Sequence, residues 1–257
     1  MTRPGILVLA LWLAAAGAGA EIPLAERRSG AEFMSSATRA MQDDEVTGPA
    51  ALWLLEGEER WNRKVGAAGK SCADCHGDAR QSMRGVAARY PAYDAARAQP
   101  VTLEQRVIEC RATRQQASAP AHESRELLVL SAWVARQSKG MPIVPEADPR
   151  AAPFREAGRA AFELRQGQLN LSCALCHDRY WGRSLGGAPI PQGHATGYPI
   201  YRLEWQSLGS LARRLRSCTT GMRAQPYPAG SREAVDLELF LMWRARGMAM
   251  ESPAVRP

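Results

Sequence analysis

The sequence predicts a mainly α-helical protein built from two tandem domains that are related by internal duplication. Helical spacing is the first observation. In each half, three positions four and three residues apart predict one face of a helix that ends at a cysteine. They are Leu103, Val107 and Cys110 in the first half, and Leu211, Leu215 and Cys218 in the second. Alternation typical of strands is scarce, which favours an all-helical organisation with irregular loops.

The second observation is that landmarks of the first half recur in the same order in the second. Residues 71–76 (SCADCH) recur 101 residues later as 172–177 (SCALCH). Later landmarks recur at an offset of 107 or 108: residues 90–93 (YPAY) as 198–201 (YPIY), Cys110 as Cys218, residues 124–126 (SRE) as 231–233, and residues 140–141 (GM) as 247–248. The change from 101 to 108 predicts a seven-residue insertion within residues 186–197. The pattern indicates a duplicated domain of about 100 residues.

The last helix of each half carries matched start and stop signals. Ser124 and Ser231 are good N-caps, and each is followed by a glutamate that favours the positive end of a helix. Gly140 and Gly247 lie where a C-terminal glycine is expected.

Two further segments define the domain organisation. Residues 21–48 have no counterpart, and we expect an N-terminal arm or short helix laid on the first domain. Residues 140–153 (GMPIVPEADPRAAP) join the halves, and their four prolines predict an extended, fairly stiff link. The expected boundaries are 21–147 for the arm and first domain and 148–257 for the second domain.

The N-terminus predicts export. Arg3 precedes an apolar stretch of eleven residues, 6–16 (ILVLALWLAAA), and residues 18–20 (AGA) form a cleavage pattern. These features are typical of a secretory signal peptide cleaved after about Ala20, although an uncleaved anchor is the alternative. No other stretch approaches the roughly 18 apolar residues of a membrane span, so no span is expected in the mature chain.

Composition indicates a globular protein. Hydrophobic residues make up 46% of the 257-residue chain and charged residues 23%, which excludes a disordered or collagen-like chain. The formal net charge is +7, with only 3 lysines against 30 arginines. No run of five basic residues occurs, so a nucleic-acid-binding tail is not expected. The positive charge instead suits small anions, acidic partners or an acidic cofactor.

Four of the six cysteines form two Cys-x-x-Cys-His motifs. They are Cys72, Cys75 and His76, and Cys173, Cys176 and His177. In an exported protein this motif predicts covalent attachment of haem c, with the histidine as proximal iron ligand. A zinc site would need further ligands at suitable spacing, and a thioredoxin-like pair would need a βαβ context. We therefore expect two covalently bound haem c groups in two cytochrome c-like domains.

The remaining cysteines, Cys110 and Cys218, are the preferred candidates for distal iron ligands. Met141 and Met248 are also repeat-matched and could ligate, as methionine does in many electron-transfer cytochromes c. A Cys110–Cys218 disulfide is a further alternative in an oxidising compartment. The repeat favours ligation, because equivalent residues of duplicated domains should each lie beside their own haem. A thiolate ligand would stabilise ferric iron and suggests that sulfur takes part in the reaction.

The surroundings distinguish the two cysteines. Residues 213–223 contain four arginines and no acid, whereas residues 105–115 contain three arginines and one glutamate. Arg214 lies one helical turn before Cys218, where it can hold an anion beside the sulfur. Arg106 is its counterpart. The remaining arginines of the second segment either lie on a solvated face or pair with haem propionates; they are Arg213, Arg216 and Arg223.

The two remaining histidines are not expected to belong to a site. His122 is expected to be exposed, and no site role is expected for His194.

Together these features resemble the SoxA family of dihaem cytochromes c, from the complex of bacterial thiosulfate oxidation that also contains SoxX. The resemblance rests on two haem motifs, one lone cysteine per domain, and residues 213–218 (RRLRSC) followed by 223–228 (RAQPYP). It covers nearly the whole mature chain and is strongest over residues 211–243.

The resemblance implies a periplasmic L-cysteine S-thiosulfotransferase that oxidatively couples thiosulfate to a cysteine of the SoxYZ carrier protein. It implies that Cys110 ligates the first haem iron and that Cys218 ligates the second. Cys218 would also be the active-site cysteine, carried as a persulfide, in a catalytic second domain. Arg214 would bind the substrate. The implied partners are a SoxX-type monohaem cytochrome, the SoxYZ carrier and an electron-accepting cytochrome.

Three other functions remain compatible with the motifs. One is a dihaem electron carrier without its own substrate, and another is a dehydrogenase that converts thiosulfate to tetrathionate. The third is a non-enzymatic haem-binding scaffold for another oxidoreductase.

Overall fold

A computed structural model describes residues 22–257, and the predicted leader, residues 1–20, lies outside the described residues. The α-helices of the described chain are α1 (Ser36–Asp43), α2 (Ala51–Asn62), α3 (Ala73–His76), α4 (Ala79–Ser82), α5 (Leu103–Glu109), α6 (Arg125–Arg136), α7 (Ala152–Glu163), α8 (Leu211–Gly221) and α9 (Arg232–Arg244). Two π-helical turns, Cys110–Arg114 and Leu175–Arg179, accompany them. The expected mainly α organisation is confirmed.

The strands are all two or three residues long. They are β1 (Ala92–Asp94), β2 (Gln99–Val101), β3 (Ser184–Leu185), β4 (Ala188–Pro189), β5 (Ile200–Arg202), β6 (Ser207–Gly209) and β7 (Ala254–Arg256). The pair β1–β2 and the pair β5–β6 are antiparallel and match in register, because Asp94 faces Gln99 as Arg202 faces Ser207. A hairpin of β3 and β4 lies at the start of the predicted insertion.

Each half is built around one pair of packed helices, α2 with α6 and α7 with α9. A glycine allows close approach at the same place in both pairs. A Cβ at Gly57 would lie 2.4 Å from the Val129 carbonyl oxygen, and a Cβ at Gly158 would lie 1.9 Å from that of Asp236. Since real Cβ atoms do not approach so closely, only glycine fits at these crossings. The duplication therefore extends to the packing of the core.

The two halves also pair with each other through equivalent residues. Pro142 and Ala249 form an antiparallel bridge. The Gly140 amide donates to the Met250 carbonyl at 2.8 Å, and the Met250 amide donates to the Met141 carbonyl at 2.9 Å. These segments are counterparts in the repeat, so the halves are related by an approximate two-fold axis near this contact.

The predicted helix starts are confirmed. Ser124 Oγ accepts a hydrogen bond from the Leu127 amide, and Ser231 Oγ accepts one from the Ala234 amide. Gly140 and Gly247 have φ of 78° and 79°, as expected of glycines past a helix end. Both lie a few residues beyond the regular helix, because the chain continues through further turns first.

The expected helix end at Cys218 is wrong. In the first half α5 ends at Glu109, next to the expected end at Cys110, and a π-helical turn continues from Cys110 to Arg114. In the second half α8 continues to Gly221, so Cys218 lies inside the helix. The apolar spacing that places a residue on a helix face carries no information on where the helix stops.

The N-terminal arm is not laid on the first domain alone, which corrects the sequence-based expectation. Its main contacts are with the second half: the Arg28 amide donates to Gln192 Oε1 at 2.7 Å, and Ser29 Oγ donates to Glu251 Oε1 at 2.6 Å. Helix α1 packs against β7 near the C-terminus. Nothing in the sequence of an unrepeated segment indicates which copy of a duplicated domain it contacts.

The link between the halves is extended, as predicted, but it is packed against the protein. Ile143 and Pro145 are buried, and Glu146 Oε2 accepts a hydrogen bond from the Tyr93 amide at 2.8 Å. Within residues 22–257, no helix is both long and apolar enough to cross a membrane.

Candidate functional site

A large cavity in the second half brings together four of the predicted site residues, Cys173, His177, Arg214 and Cys218. The space not filled by protein atoms is about 1210 Å³, part of it open to solvent. Apolar side chains supply much of the wall: Phe162, Leu211, Leu215, Leu237 and Leu241. The largely apolar wall suits a large apolar group.

His177 is held as a metal-ligating histidine should be. Its Nδ1 lies 2.7 Å from the Pro191 carbonyl oxygen. Because a carbonyl only accepts, Nδ1 carries the proton and Nε2 keeps its lone pair for a metal. Burial lowers the pKa of His177 and so favours the neutral ring that ligates. The Phe162 ring stacks at 6.5 Å between centroids, and this pair fixes the ring plane.

The lone cysteine of each half lies near the motif of that half. Cys218 lies close enough to Cys173 to help raise the pKa of that thiol, and Cys110 acts in the same way on the pKa of Cys72. Within residues 22–257 no two of the six cysteines form a disulfide. This arrangement favours one haem site per half over the alternative Cys110–Cys218 disulfide.

The residues of the second half fit a haem c. Burial raises the pKa of Cys173 to about 11, and an uncharged thioether would suit this position better than a thiolate. No cluster of three or more His, Cys, Asp or Glu side chains in the described part of the chain could hold a metal ion. His177 and Cys218 would hold the iron of such a group, and its macrocycle would supply the remaining ligands.

The first site repeats the arrangement with more exposure. His76 packs near Trp61, with ring centroids 5.8 Å apart, as His177 packs near Phe162. Trp61 Nε1 donates to the Gly77 carbonyl at 3.0 Å. Cys75 and His76 are exposed, whereas Cys176 and His177 are half-buried. The second site is therefore the more enclosed of the two.

The methionine alternative finds little support in the second half. Met248 packs against the hydrophobic core instead of lining the cavity that Cys218 lines. Met141 is half-buried, and its Cε lies 3.1 Å from where a Cβ of Gly85 would be. Cysteine ligation at both sites remains our preferred prediction.

The arginines of the two sites differ in their partners. Arg214 lines the cavity with Cys218, four residues before it on α8. Its counterpart Arg106 donates to Asp94 Oδ2 and to Glu109 Oε2, each at 2.6 Å. Arg213 instead stacks on Trp205 at 4.2 Å and donates to Ser207 Oγ at 3.3 Å. Arg216 and Arg223 are exposed, which fits the solvated-face interpretation.

Sequence reasoning missed several residues of the cavity wall. His194 is buried, hydrogen-bonds Gln192 Oε1 at 3.1 Å, and has its pKa lowered to about 3, mainly by burial. The arm contributes Phe33 and Met34, and the second half contributes Arg202. His194 belongs to the unrepeated insertion and Arg202 differs in type from its counterpart, so the repeat could not point to either. His122 is exposed, as expected.

The duplicated helical domains, each with a Cys-x-x-Cys-His motif beside a lone cysteine, define a c-type cytochrome. A profile described as SoxA/TsdA, cytochrome c domain, matches residues 56–143 and 157–250. The chain belongs to this SoxA/TsdA family, and its haem c is covalently bound.

Known relatives are similar over most of the chain. The L-cysteine S-thiosulfotransferase subunit SoxA of Pseudaminobacter salicylatoxidans is 35% identical over 91% of this chain and 82% of its own length. The same subunit of Rhodovulum sulfidophilum is 35% identical over 90% of this chain and 80% of its own length. A crystal structure of SoxXA from P. pantotrophus superposes with a TM-score of 0.86 at 31% identity, covering 90% of this chain and 87% of that one.

Proposed function

We propose that this chain is the SoxA-type subunit of an L-cysteine S-thiosulfotransferase, which joins thiosulfate to a cysteine of a SoxYZ-type carrier protein. One observation carries the proposal: the second-half cavity, partly open to solvent, places the thiol of Cys218 and the cation of Arg214 on one wall. Relatives with this activity in their names are 35% identical over nine-tenths of the chain.

The reaction is an oxidation that joins two sulfur atoms. One thiosulfate dianion and one carrier thiol give a carrier-bound S-thiosulfonate, one proton and two electrons. An S–S bond forms between the terminal sulfur of thiosulfate and the carrier cysteine, and the carrier S–H bond breaks. When bound, each ferric haem c can accept one electron.

The chain's own residues would hold the anion and the reacting sulfur. Arg214 is proposed to bind the sulfonate oxygens through charge-assisted hydrogen bonds. Cys218 is proposed as the catalytic cysteine, present as a persulfide. The apolar wall lowers the local dielectric constant, which strengthens the attraction between Arg214 and the anion.

Two haem c groups are proposed, one in each half. The thioether links are assigned to Cys72, Cys75, Cys173 and Cys176, and the iron ligands to His76 with Cys110 and to His177 with Cys218. The hydrogen bond from His177 Nδ1 to Pro191 supports this assignment in the second half. The proposed domain boundaries are 21–147 and 148–257, the second being catalytic.

The proposed setting is the periplasm, with the leader removed after about Ala20. The likeness to SoxXA supports a SoxX-type monohaem cytochrome as the permanent partner. A SoxYZ-type carrier would deliver the acceptor cysteine, and a further cytochrome would take up the electrons.

The test is carrier-linked oxidation of thiosulfate by the purified complex, with mass spectrometry of the carrier. We expect the carrier cysteine to gain a thiosulfonate group and a pyridine haemochrome assay to give two haems per chain. Tetrathionate formed without any carrier would instead indicate a thiosulfate dehydrogenase. Electron transfer without consumption of thiosulfate would indicate a simple electron carrier.

A further inference from the structure

The two halves carry opposite charges at one position that the repeat makes equivalent. Asp94 ends β1 and Arg202 ends β5, in matching registers. The same offset of 108 residues that relates Cys110 to Cys218 relates Asp94 to Arg202. A carboxylate in the first half is thus replaced by a guanidinium in the second.

In the first half this carboxylate neutralises the arginine beside the lone cysteine. Arg106 donates to Asp94 and to Glu109, both at 2.6 Å. Arg97 adds a further ion pair to Glu109 at 3.3 Å. With two carboxylates already bound, Arg106 has little capacity left for an external anion.

In the second half both counter-charges are missing. Arg202 replaces Asp94, and the exposed Ser217 replaces Glu109. Within residues 22–257 Arg214 takes part in no ion pair. Arg202 and Arg214 line the same cavity as Cys218. The cavity of the second half is therefore lined by two guanidinium groups, whereas in the first half the equivalent positions hold an arginine paired with a carboxylate.

Arg202 forms only a weak ion pair, with Glu204. Arg202 Nε lies 3.0 Å from Glu204 Oε1 without hydrogen-bond geometry, and the Glu204 side chain is 51% exposed. An ion pair to such an exposed carboxylate contributes little. Arg202 itself is only 13% exposed. Burial, aided by the neighbouring Arg214, lowers the pKa of Arg202, a cost that a bound anion would relieve.

We propose that Arg202 is a second anion-binding residue, which acts with Arg214 to hold a dianionic, sulfonate-bearing substrate beside Cys218. In the first half Asp94 and Glu109 bind Arg106, so the same anion would not bind there. The inference deepens the proposed function and rests on it. Two guanidinium groups offer several donors to the oxygens of one sulfonate, whereas the terminal sulfur is left free for the cysteine.

The test measures binding of radiolabelled thiosulfate to the oxidised holo-complex by equilibrium dialysis, without carrier. Arg202→Gln should weaken binding by about 10- to 100-fold, since a charge-assisted contact is lost. Ser217→Glu introduces the residue found at the equivalent position of the first half. The new carboxylate should pair with Arg214, as Glu109 pairs with Arg106, and so weaken thiosulfate binding. Ser217→Gln and Arg216→Gln, at exposed positions, are the matched controls and should bind like the native complex.

A third variant leaves Arg202 in place, so that the test survives if Arg202→Gln does not fold. Glu204→Gln removes the weak competing carboxylate and should tighten thiosulfate binding by up to about fivefold. Haem content and midpoint potential are recorded for every variant.

The outcomes separate this inference from the proposed function. If Arg202→Gln and Glu204→Gln bind thiosulfate like the native complex while it still modifies the carrier, Arg202 is not an anion-binding residue. A changed haem potential with unchanged binding would make Arg202 a propionate partner and overturn the inference in the same way. If the native complex neither binds thiosulfate nor modifies the carrier, the proposed function itself fails.

Discussion

Gly193 lies directly against the ring of His177. A Cβ at position 193 would come within 2.9 Å of His177 Cγ, and the φ of Gly193 is 75°. Only glycine combines this conformation with this contact at low cost. The unrepeated insertion thus fixes both the position of the His177 ring and, through Pro191, its tautomer.

Gly193→Ala should displace His177 and weaken its bond to the second haem iron. We expect an altered spectrum of one haem, full covalent attachment, and a loss of stability of about 1–3 kcal/mol. The control is Gly187→Ala, because Gly187 has a φ of 83° and nothing within 4 Å of a Cβ. If both variants gave the native spectrum, the contact with His177 would have no role in ligation.

Arg214→Ala should slow carrier-linked thiosulfate oxidation while leaving haem content intact. The loss of one charge-assisted contact is expected to reduce kcat/KM by roughly 10- to 150-fold. Arg216→Ala, exposed on the same helix, should retain native kinetics. Equal kinetics for the two variants would place Arg214 on a merely solvated face.

Asp236 should make the protein less stable as pH rises. Its side chain is 6% exposed and its Oδ1 has no hydrogen-bond partner. Burial raises the pKa of Asp236 from 3.8 to about 6, opposed by Arg232. Because the folded state holds the proton more tightly than the unfolded chain, this contribution to stability is complete below about pH 4 and lost as pH rises through about 6.

Asp236→Asn should therefore stabilise the protein by about 1–3 kcal/mol at pH 8, with a smaller gain at pH 4. Denaturant unfolding of the holoprotein at both pH values measures the effect. Asp43→Asn alters an exposed carboxylate and is the control. A gain that is the same at both pH values would show that ionisation of Asp236 is not the cause.

Gly158→Ala should disrupt the packing of α7 on α9. The new Cβ would lie 1.9 Å from the Asp236 carbonyl oxygen, so the backbones must separate. We expect a loss of about 1–3 kcal/mol in thermal or denaturant unfolding. Gly221→Ala is matched, because nothing lies within 4 Å of its Cβ, and it should be neutral or slightly stabilising. Equal stability of the two variants would contradict the close crossing.

The sequence predicts much of this architecture because duplication doubles each signal. Ser124 and Ser231 confirm each other as caps, and Cys110 and Cys218 both fall near their motifs. Local signals of this kind need no knowledge of tertiary contacts.

The remaining features depend on contacts that periodicity does not encode. The arm reaches the second half through side chains such as Arg28 and Ser29, which carry no pattern. His194 lies in an insertion without a counterpart, and Arg202 matters because it differs from Asp94. Residues repeated in both halves reveal the duplication, whereas the opposite charges of Asp94 and Arg202 show where the two halves differ in chemistry.

The central claim is that Cys218 is catalytic, whereas Cys110 only ligates iron. The most direct measurement is carrier-linked thiosulfate oxidation by Cys218→Met and Cys110→Met, alongside haem content. We predict that Cys218→Met is inactive with both haems attached, because attachment uses other cysteines. Cys110→Met should retain appreciable activity, with the spectrum and potential of the first haem changed. An active Cys218→Met beside an inactive Cys110→Met would reverse the assignment, and full activity in both would make the cysteines structural.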